Sequence, residues 1–241
     1  MPRDRRKIGR VDALPQPEMV GLEGGVLLMG CERGRPDEQP VHRVEIAPFR
    51  VAVAPVTNAQ FEPFLATGRE APRFWDDERF NAADQPVVGV SWFDAVAYCE
   101  WLAAETGVPY RLPTESEREY ASLGGLEDAD WPWPGARWQE HPVADRIAAA
   151  DRPHPPPPEC ANGYGLRCMA ENVHEWCFDW YHPDAYGDPG AGEREPAERA
   201  RKVSRGGSWR HSVKFTRLTA RASLAPERRY NDFGFRLYAD A

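Results

Sequence analysis

The apolar positions in the first part of the chain predict short strands. Residues 25–30 form an apolar run bounded by glycines, which we interpret as a buried strand. Residues 41–53 alternate in part, with Val44 and Ile46 on one face, and predict one or two strands that Pro48 interrupts. The apolar pattern predicts further short strands near residues 203–208, 217–222 and 233–238.

Three helices are predicted from their capping residues. Thr57, Ser91 and Thr114 each precede a stretch with helical spacing of apolar residues, and Thr57 and Thr114 begin capping boxes. Pro63 lies inside the first of these helices and predicts a kink or a shifted start. A few helices among scattered short strands predict an α+β domain with much irregular backbone.

The composition agrees with a loop-rich domain and argues against some classes of binding partner. The chain of 241 residues is long enough for one large domain or two small ones, and its 24 prolines and 20 glycines predict long loops. The formal net charge of −8 argues against nucleic-acid and anionic-membrane partners. The sequence contains no apolar segment of ~18 residues and no signal-peptide core, so we expect no membrane span and a cytoplasmic location. Residues 1–20 are expected to form a flexible tail.

The cysteine content indicates reduced thiols. An odd number of cysteines without a secretion signal is typical of a reducing compartment. No two of them form a CxxC pair, which argues against a zinc ribbon or a thioredoxin-like site. The five cysteines are Cys31, Cys99, Cys160, Cys168 and Cys177.

Four segments carry a family resemblance. In order along the chain, the segments 111–115 (RLPTE), 172–176 (NVHEW), 205–209 (RGGSW) and 234–236 (GFR) resemble the formylglycine-generating enzyme family, that is, the sulfatase-modifying-factor domains. The resemblance implies that residues 21–241 form one domain with a variant of the C-type lectin fold. It also implies structural roles for the first and last of these segments.

Those structural roles are specific enough to test. Arg111 is expected at a helix start, either as a fold marker or in a buried bidentate pair with a carboxylate. Gly234 is expected to permit a close backbone approach, Phe235 to anchor the core and Arg236 to form a buried ion pair.

The resemblance also implies a calcium site in residues 163–177. Its ligands would include the side chain of Glu175 and the backbone carbonyls of Glu171 and Val173. Cys168 stands where the family usually has Asn or Asp, and a thiol is a poor calcium ligand. Glu171 replaces a common glycine of the family, so a structural calcium ion is an expectation with a weakened ligand set.

His174 replaces a tryptophan of the family and invites a different interpretation. If this stretch is a helical turn, His174 and Cys177 share a face and, with Cys168 or His182, form a soft metal site. The alternative is a buried thiol beside a hydrogen-bonded histidine.

The copper site of the family is altered in this chain. The related oxidases bind copper(I) through two cysteines five residues apart, just after Gly-Gly-Ser, and those positions are His211 and Thr216 here. Neither is a thiol, and no cysteine follows Cys177. Ser208 keeps the position of a serine near the family's active site.

His211 supports a sharper hypothesis. It is a candidate ligand of iron or copper, together with His174, and such a site would resemble the iron-dependent sulfoxide synthases that carry this domain. Those enzymes take histidines from an additional helical domain that 241 residues do not accommodate. The alternative is a histidine that lines a cleft or forms a hydrogen bond.

Two functions of different class follow, and a third is disfavoured. The first is an oxygen- and metal-dependent oxidoreductase with catalytic residues His211, Ser208 and His174, acting on a peptide or a small thiol. The second is a non-catalytic binding module that holds a peptide, a sugar or a partner protein. The third, formylglycine generation from a sulfatase cysteine, lacks its copper ligands. In the first two the cleft is lined by Ser208, Trp209, Arg210, His211 and Thr216.

Overall fold

The computed structural model describes residues 14–134, 137–140, 144–145, 149–188, 190–198, 200–211 and 213–241. The strands are β1 (Met19–Leu22), β2 (Gly25–Met29), β3 (His42–Ile46), β4 (Phe49–Ala52), β5 (Tyr110–Arg111), β6 (His174–Trp180), β7 (Lys202–Arg205), β8 (Ala222–Leu224), β9 (Phe233–Gly234) and β10 (Tyr238–Asp240). The helices are α1 (Asn58–Leu65), α2 (Trp92–Thr106) and α3 (Glu115–Leu123).

The strands form three small sheets. One sheet has the order β1-β4-β10-β5, the second is the β2-β3 hairpin, and the third has the order β8-β7-β6-β9. The pairs are antiparallel, except that β6 and β9 run parallel, with His174 opposite Phe233 and Glu175 opposite Gly234. The result is the predicted α+β arrangement of few helices, short strands and long irregular segments. No helix in the described part of the chain is long and apolar enough to cross a membrane.

The predicted helices and their caps are confirmed. Thr57, Ser91 and Thr114 are the N-caps of α1, α2 and α3, and each closes a capping box with the third residue of its helix. Pro63 lies within α1, which ends two residues later. Gly107 ends α2 with a left-handed backbone, as a residue without Cβ does readily.

Two strand predictions and the predicted end of the N-terminal tail need correction. β2 is not buried on both faces, because Val26 and Leu28 are 48% and 67% exposed while Leu27 and Met29 point into the core. The strand expected at residues 217–222 begins only at Ala222. β1 begins at Met19, inside the segment expected to be a tail, because it pairs with β4. Residues 1–13 of that segment lie outside the described residues.

The main core lies between α1, α2 and the strands that follow them. Phe61 stacks on Tyr98 with ring centroids 5.2 Å apart, and Phe235 meets Tyr98 edge to face at 5.4 Å. All three rings are buried to at least 99%, so Phe235 is the predicted core anchor. A Cβ on Gly234 would lie 2.6 Å from the carbonyl oxygen of Val87, which confirms the predicted close approach.

Buried ion pairs connect the recognised segments. Glu115 of the first segment accepts hydrogen bonds from Arg205 at 2.8 Å and from Arg221 at 2.7 Å. Glu175 of the second accepts from Arg236 of the last at 2.8 Å, which is the predicted buried pair, and from Arg118 at 2.8 Å. These side chains are almost fully inaccessible to solvent, so each buried charge is neutralised by its ion-pair partners and not by water.

Arg111 takes the bidentate option. Its two terminal nitrogens each donate to Glu117 at 2.7 Å, and Nε donates to Asp240 at 2.9 Å. The arginine is 32% exposed, so the pair lies at the edge of the core and fastens α3 to β10.

Candidate functional site

Two cavities on the described surface are candidates for a functional site. The larger, about 750 Å³, lies between the β2-β3 hairpin and α3, and the exposed ion pair of Arg33 and Asp128 lies at its rim. The smaller, about 310 Å³, has His174 and His211 in its wall. We place the candidate site in the smaller cavity because two imidazoles converge there.

His174 is fixed by the parallel strand pair. It is the first residue of β6, and its backbone N–H donates to the carbonyl oxygen of Asp232 at 2.8 Å, just before β9. Its ring is 1% exposed and lies 4.8 Å from the ring of Phe233. The imidazole is therefore held in one place by both backbone and packing.

The two histidines meet directly. Nε2 of His174 lies 2.8 Å from Nδ1 of His211, so the two rings share one hydrogen bond, and one of the two nitrogens carries its proton. Nδ1 of His174 is also buried and has no hydrogen-bond partner among the described residues. Burial, together with the neighbouring His211, lowers the pKa of His174 to about 3. Burial likewise lowers the pKa of His211, although Asp232 opposes that shift.

Both rings are therefore neutral near pH 7, and each imidazole has one lone-pair nitrogen, one of which accepts the hydrogen bond between the rings. This is the protonation state in which histidine binds a metal ion.

Asp232 adds a carboxylate to the pair. Its Oδ2 lies 3.8 Å from Nε2 of His211 and accepts a hydrogen bond from Ser208 Oγ at 3.0 Å, while Arg210 approaches Oδ1 at 3.8 Å. One potential ligand atom from each of His174, His211 and Asp232 lies within 4.8 Å of the others. We call these three residues the His-His-Asp cluster.

The His-His-Asp cluster fits a divalent transition metal. Two histidines and one carboxylate are the ligands of non-haem iron(II) oxygenases, which keep further coordination positions open. The 2.8 Å between the facing nitrogens is close to the roughly 3.0 Å between neighbouring ligands of an octahedral metal at about 2.1 Å. The 3.8 Å contact of Asp232 is made to the other nitrogen of His211, Nε2, so the carboxylate must move toward the two facing nitrogens before all three residues bind one ion.

The family's copper(I) site does not fit. Thr216 is 3% exposed, its hydroxyl donates to the carbonyl oxygen of Val213 at 2.7 Å, and its side chain fills the space beside Gly207. A hydroxyl committed in this way cannot replace a thiolate. The cavity wall contains no cysteine among the described residues.

The other predicted cleft residues surround the cluster without lining the cavity. Ser208 is buried and orients Asp232, while Trp209 packs on Phe80 and donates from its indole to the carbonyl oxygen of Asn231 at 3.2 Å. Arg210 is exposed and donates to the Asn231 side chain at 2.9 Å. Thr216 is buried away from the cavity, so its predicted role in the cleft is corrected.

Two of the three expected calcium ligands are already engaged. Both oxygens of Glu175 receive hydrogen bonds from Arg118 and Arg236, and the carbonyl of Glu171 accepts the N–H of Val173 at 3.1 Å. Burial alone would raise the pKa of Glu175, but the two guanidinium groups hold it below its usual value. A calcium ion at this carboxylate would lie against two fixed positive charges, so the ligand set that the resemblance implies does not fit.

The prediction that His174 and Cys177 share a face is wrong. The segment is strand β6, in which residues three apart point to opposite sides, and the Cys177 thiol is buried against the backbone of Glu175. His182 contacts the carbonyl oxygen of Arg194 instead.

Asp232 is not among the site residues predicted from the sequence. Its position two residues before Gly234 is visible in the sequence, but its approach to His211 depends on the parallel pairing of β9 with β6. The cationic side chains of the cavity wall, Arg35, Arg201 and Arg221, come from three separate segments and carry no local signal.

Comparison with known proteins agrees with this architecture. The sulfatase-modifying factor enzyme 1-like domain family matches residues 5–241. A formylglycine-generating enzyme of Streptomyces coelicolor is 32% identical over 92% of this chain and 89% of its own length. The structure of PvdO from Pseudomonas aeruginosa superposes with a TM-score of 0.79 and 28% identity, over 93% of this chain and 95% of the other.

A further relative is longer. The serine/threonine-protein kinase pkn1 of Chlamydia caviae is 34% identical over 92% of this chain, which spans only 38% of that protein. The matched family, the formylglycine-generating enzyme relative and the PvdO superposition each cover nearly the whole chain. The fold is the formylglycine-generating-enzyme-like variant of the C-type lectin fold, and the chain belongs to the sulfatase-modifying factor enzyme 1-like domain family.

Proposed function

We propose that this protein is an oxygen- and metal-dependent oxidoreductase whose metal, iron(II) in preference to copper, is bound by the His-His-Asp cluster. The observation that carries the proposal is the convergence of two neutral imidazoles and one carboxylate at a cavity wall. Iron(II) is preferred because the two-histidine, one-carboxylate set leaves coordination positions open to other molecules.

Each residue has a defined part in this proposal. His174 is the immobile ligand, since it is buried and tied to Asp232 through its backbone. His211 is 38% exposed and forms the boundary between the metal and the cavity. Ser208 fixes the carboxylate of Asp232 by donating to Oδ2, an outer contact of the kind that orients ligands.

The cavity wall indicates the kind of substrate. Arg35, Arg201 and Arg221 line it, and Asp37 is its one carboxylate among the described lining residues. Arg221 is neutralised by Glu115 and Arg35 contacts Asp37. Among the described residues, the guanidinium of Arg201 is hydrogen-bonded only to Ser223. A small thiol or peptide end that carries an acidic group fits this surface, because its charge would balance the remaining positive charge.

The overall chemistry is an oxidation by dioxygen. A bound metal of this type supplies dioxygen binding and electron transfer. In the balanced reaction, two electrons and two protons leave the substrate and one dioxygen accepts them as hydrogen peroxide. The protein binds the acidic group of the substrate beside His211 and keeps the ligand histidines neutral.

Metal content tests the proposal. We expect the protein, purified without chelators and loaded anaerobically with iron(II), to retain stoichiometric iron. His174→Ala, His211→Ala and Asp232→Asn should each lose it, whereas His182→Ala, which alters a histidine outside the cluster, should not.

Two outcomes would contradict the proposal. Protein that stays free of iron after loading, yet binds a small acid in the cavity, would be a non-catalytic binding module. Copper-dependent conversion of a cysteine-containing sulfatase peptide would instead support formylglycine generation.

A further inference from the structure

A second group of potential metal ligands lies on the segment that precedes β6. Cys160 ends a short turn at Pro158–Cys160, and an antiparallel bridge pairs Ala161 with Arg167. One register step outward, this bridge places Cys160 opposite Cys168. The two Sγ atoms are 3.0 Å apart, and the residues are 2% and 0% exposed.

A buried carboxylate faces the two thiols. Glu171 is 1% exposed, and one potential ligand atom from each of Cys160, Cys168 and Glu171 lies within 4.8 Å of the others. Its Oε2 accepts a hydrogen bond from the backbone of Ala170 at 3.2 Å.

The other oxygen, Oε1, is buried and has no hydrogen-bond partner among the described residues. Both thiols hydrogen-bond to this carboxylate, and its unpaired oxygen leaves one further position at which a ligand can bind.

The chemistry of the group selects the ion. Two thiolates and a carboxylate suit zinc, which binds sulfur and oxygen at short range, and they do not suit a hard cation that requires six or more oxygens. The same Cys168 that weakens the expected calcium site therefore contributes a thiolate here.

The surroundings also support a bound thiolate. The side-chain amide of Asn172 lies 3.7 Å from Cys168 Sγ and can donate to it. Outer contacts of this kind hold metal ligands in place.

We propose that Cys160, Cys168 and Glu171 bind a zinc ion, independently of the His-His-Asp cluster. Zinc would pair the orphaned carboxylate oxygen, take both sulfurs as thiolates by releasing their protons, and close the irregular segment in front of β6. The three ligands come from the chain itself, and zinc sites with three protein ligands keep a fourth position for water.

Cobalt(II) substitution tests this site, because a cobalt–thiolate bond gives a charge-transfer absorption band that histidine and carboxylate ligands do not. We expect metal-free, fully reduced protein to bind cobalt(II) with that band, and zinc to displace it. Cys160→Ser and Cys168→Ser should abolish the band, and Glu171→Gln should weaken zinc binding by ~10-fold or more. Cys99→Ser, which changes a buried cysteine in α2, should leave band and affinity unchanged.

The same measurement separates the two proposed sites. His211→Ala should keep the cobalt–thiolate band, so failure of the iron site does not remove it. The zinc proposal is overturned if reduced wild-type protein gives no band, or if the band survives both serine variants. Circular dichroism of each variant shows whether it is folded. If a serine variant is unfolded, the zinc affinity of Glu171→Gln tests the site in its place.

Discussion

At the residue scale, the protonation of His174 decides whether the His-His-Asp cluster can bind a metal. Its pKa of about 3 lies below the usual value near 6.5, so the folded protein holds this ring neutral while the unfolded chain takes up a proton below pH ~6.5. The folded state is therefore fully favoured above that pH and loses stability as the pH falls toward 3.

This linkage gives a measurable pH dependence. When the pH is lowered from 7 to 5, protonation of His174 in the unfolded chain should lower the free energy of unfolding of the metal-free protein by about 2 kcal/mol. In His174→Gln that contribution is absent, so the loss between the two pH values should shrink by about the same amount. Urea unfolding of both proteins at each pH measures it, and equal losses would show that His174 is not held neutral.

Substitution of Arg236 is expected to cause a large loss of stability. The arginine donates to both oxygens of Glu175 and to the carbonyl oxygens of Ala52 and Val53, with no exposed surface. Arg236→Met should lower the free energy of unfolding by about 3–5 kcal/mol, because it leaves buried charge and carbonyl groups with fewer partners.

A surface arginine provides the matched control. Arg43 is 64% exposed and pairs with Glu45, so Arg43→Met should cost less than about 0.5 kcal/mol. A similar cost for both variants, measured by urea unfolding, would contradict the structural role of Arg236.

At the element scale, the parallel pair of β6 and β9 builds the site. β6 begins at His174, and β9 follows Asp232 directly, so this short pairing brings two ligands together. The sequence predicted strand character near residues 233–238 and all three helix caps, because caps and alternation are local signals. It could not predict which strands pair, since pairing joins residues about 60 positions apart.

Gly234 tests this element. Gly234→Ala places a Cβ 2.6 Å from the Val87 carbonyl oxygen, so β9 must shift. We expect a loss of about 1–3 kcal/mol in stability and weaker iron binding, since Asp232 moves with the strand.

Gly21 of β1 is a matched strand glycine, because nothing lies within 4 Å of a Cβ built there. Gly21→Ala should keep the free energies of unfolding and of iron binding within about 0.5 kcal/mol of the wild-type values. Unchanged iron affinity in Gly234→Ala would show that β9 does not position the iron ligands.

At the scale of the whole molecule, the recognised segments are joined by buried charge. Glu115 binds Arg205 and Glu175 binds Arg236, so segments that are distant in sequence form one connected interior. The sequence indicated the family and the positions of His174 and His211. It also suggested these two histidines as a pair of ligands, but it did not reveal the carboxylate of Asp232, because that depends on how the segments fold against each other.

The position of a bound iron ion decides whether the His-His-Asp cluster is a metal site. Anomalous diffraction at the iron absorption edge, from crystals of iron(II)-loaded protein, should show one peak bonded to His174, His211 and Asp232, with the hydrogen bond between the two histidines replaced by the metal. Fully loaded crystals with no peak there, and with His174 and His211 still hydrogen-bonded to each other, would show that the cluster does not bind iron.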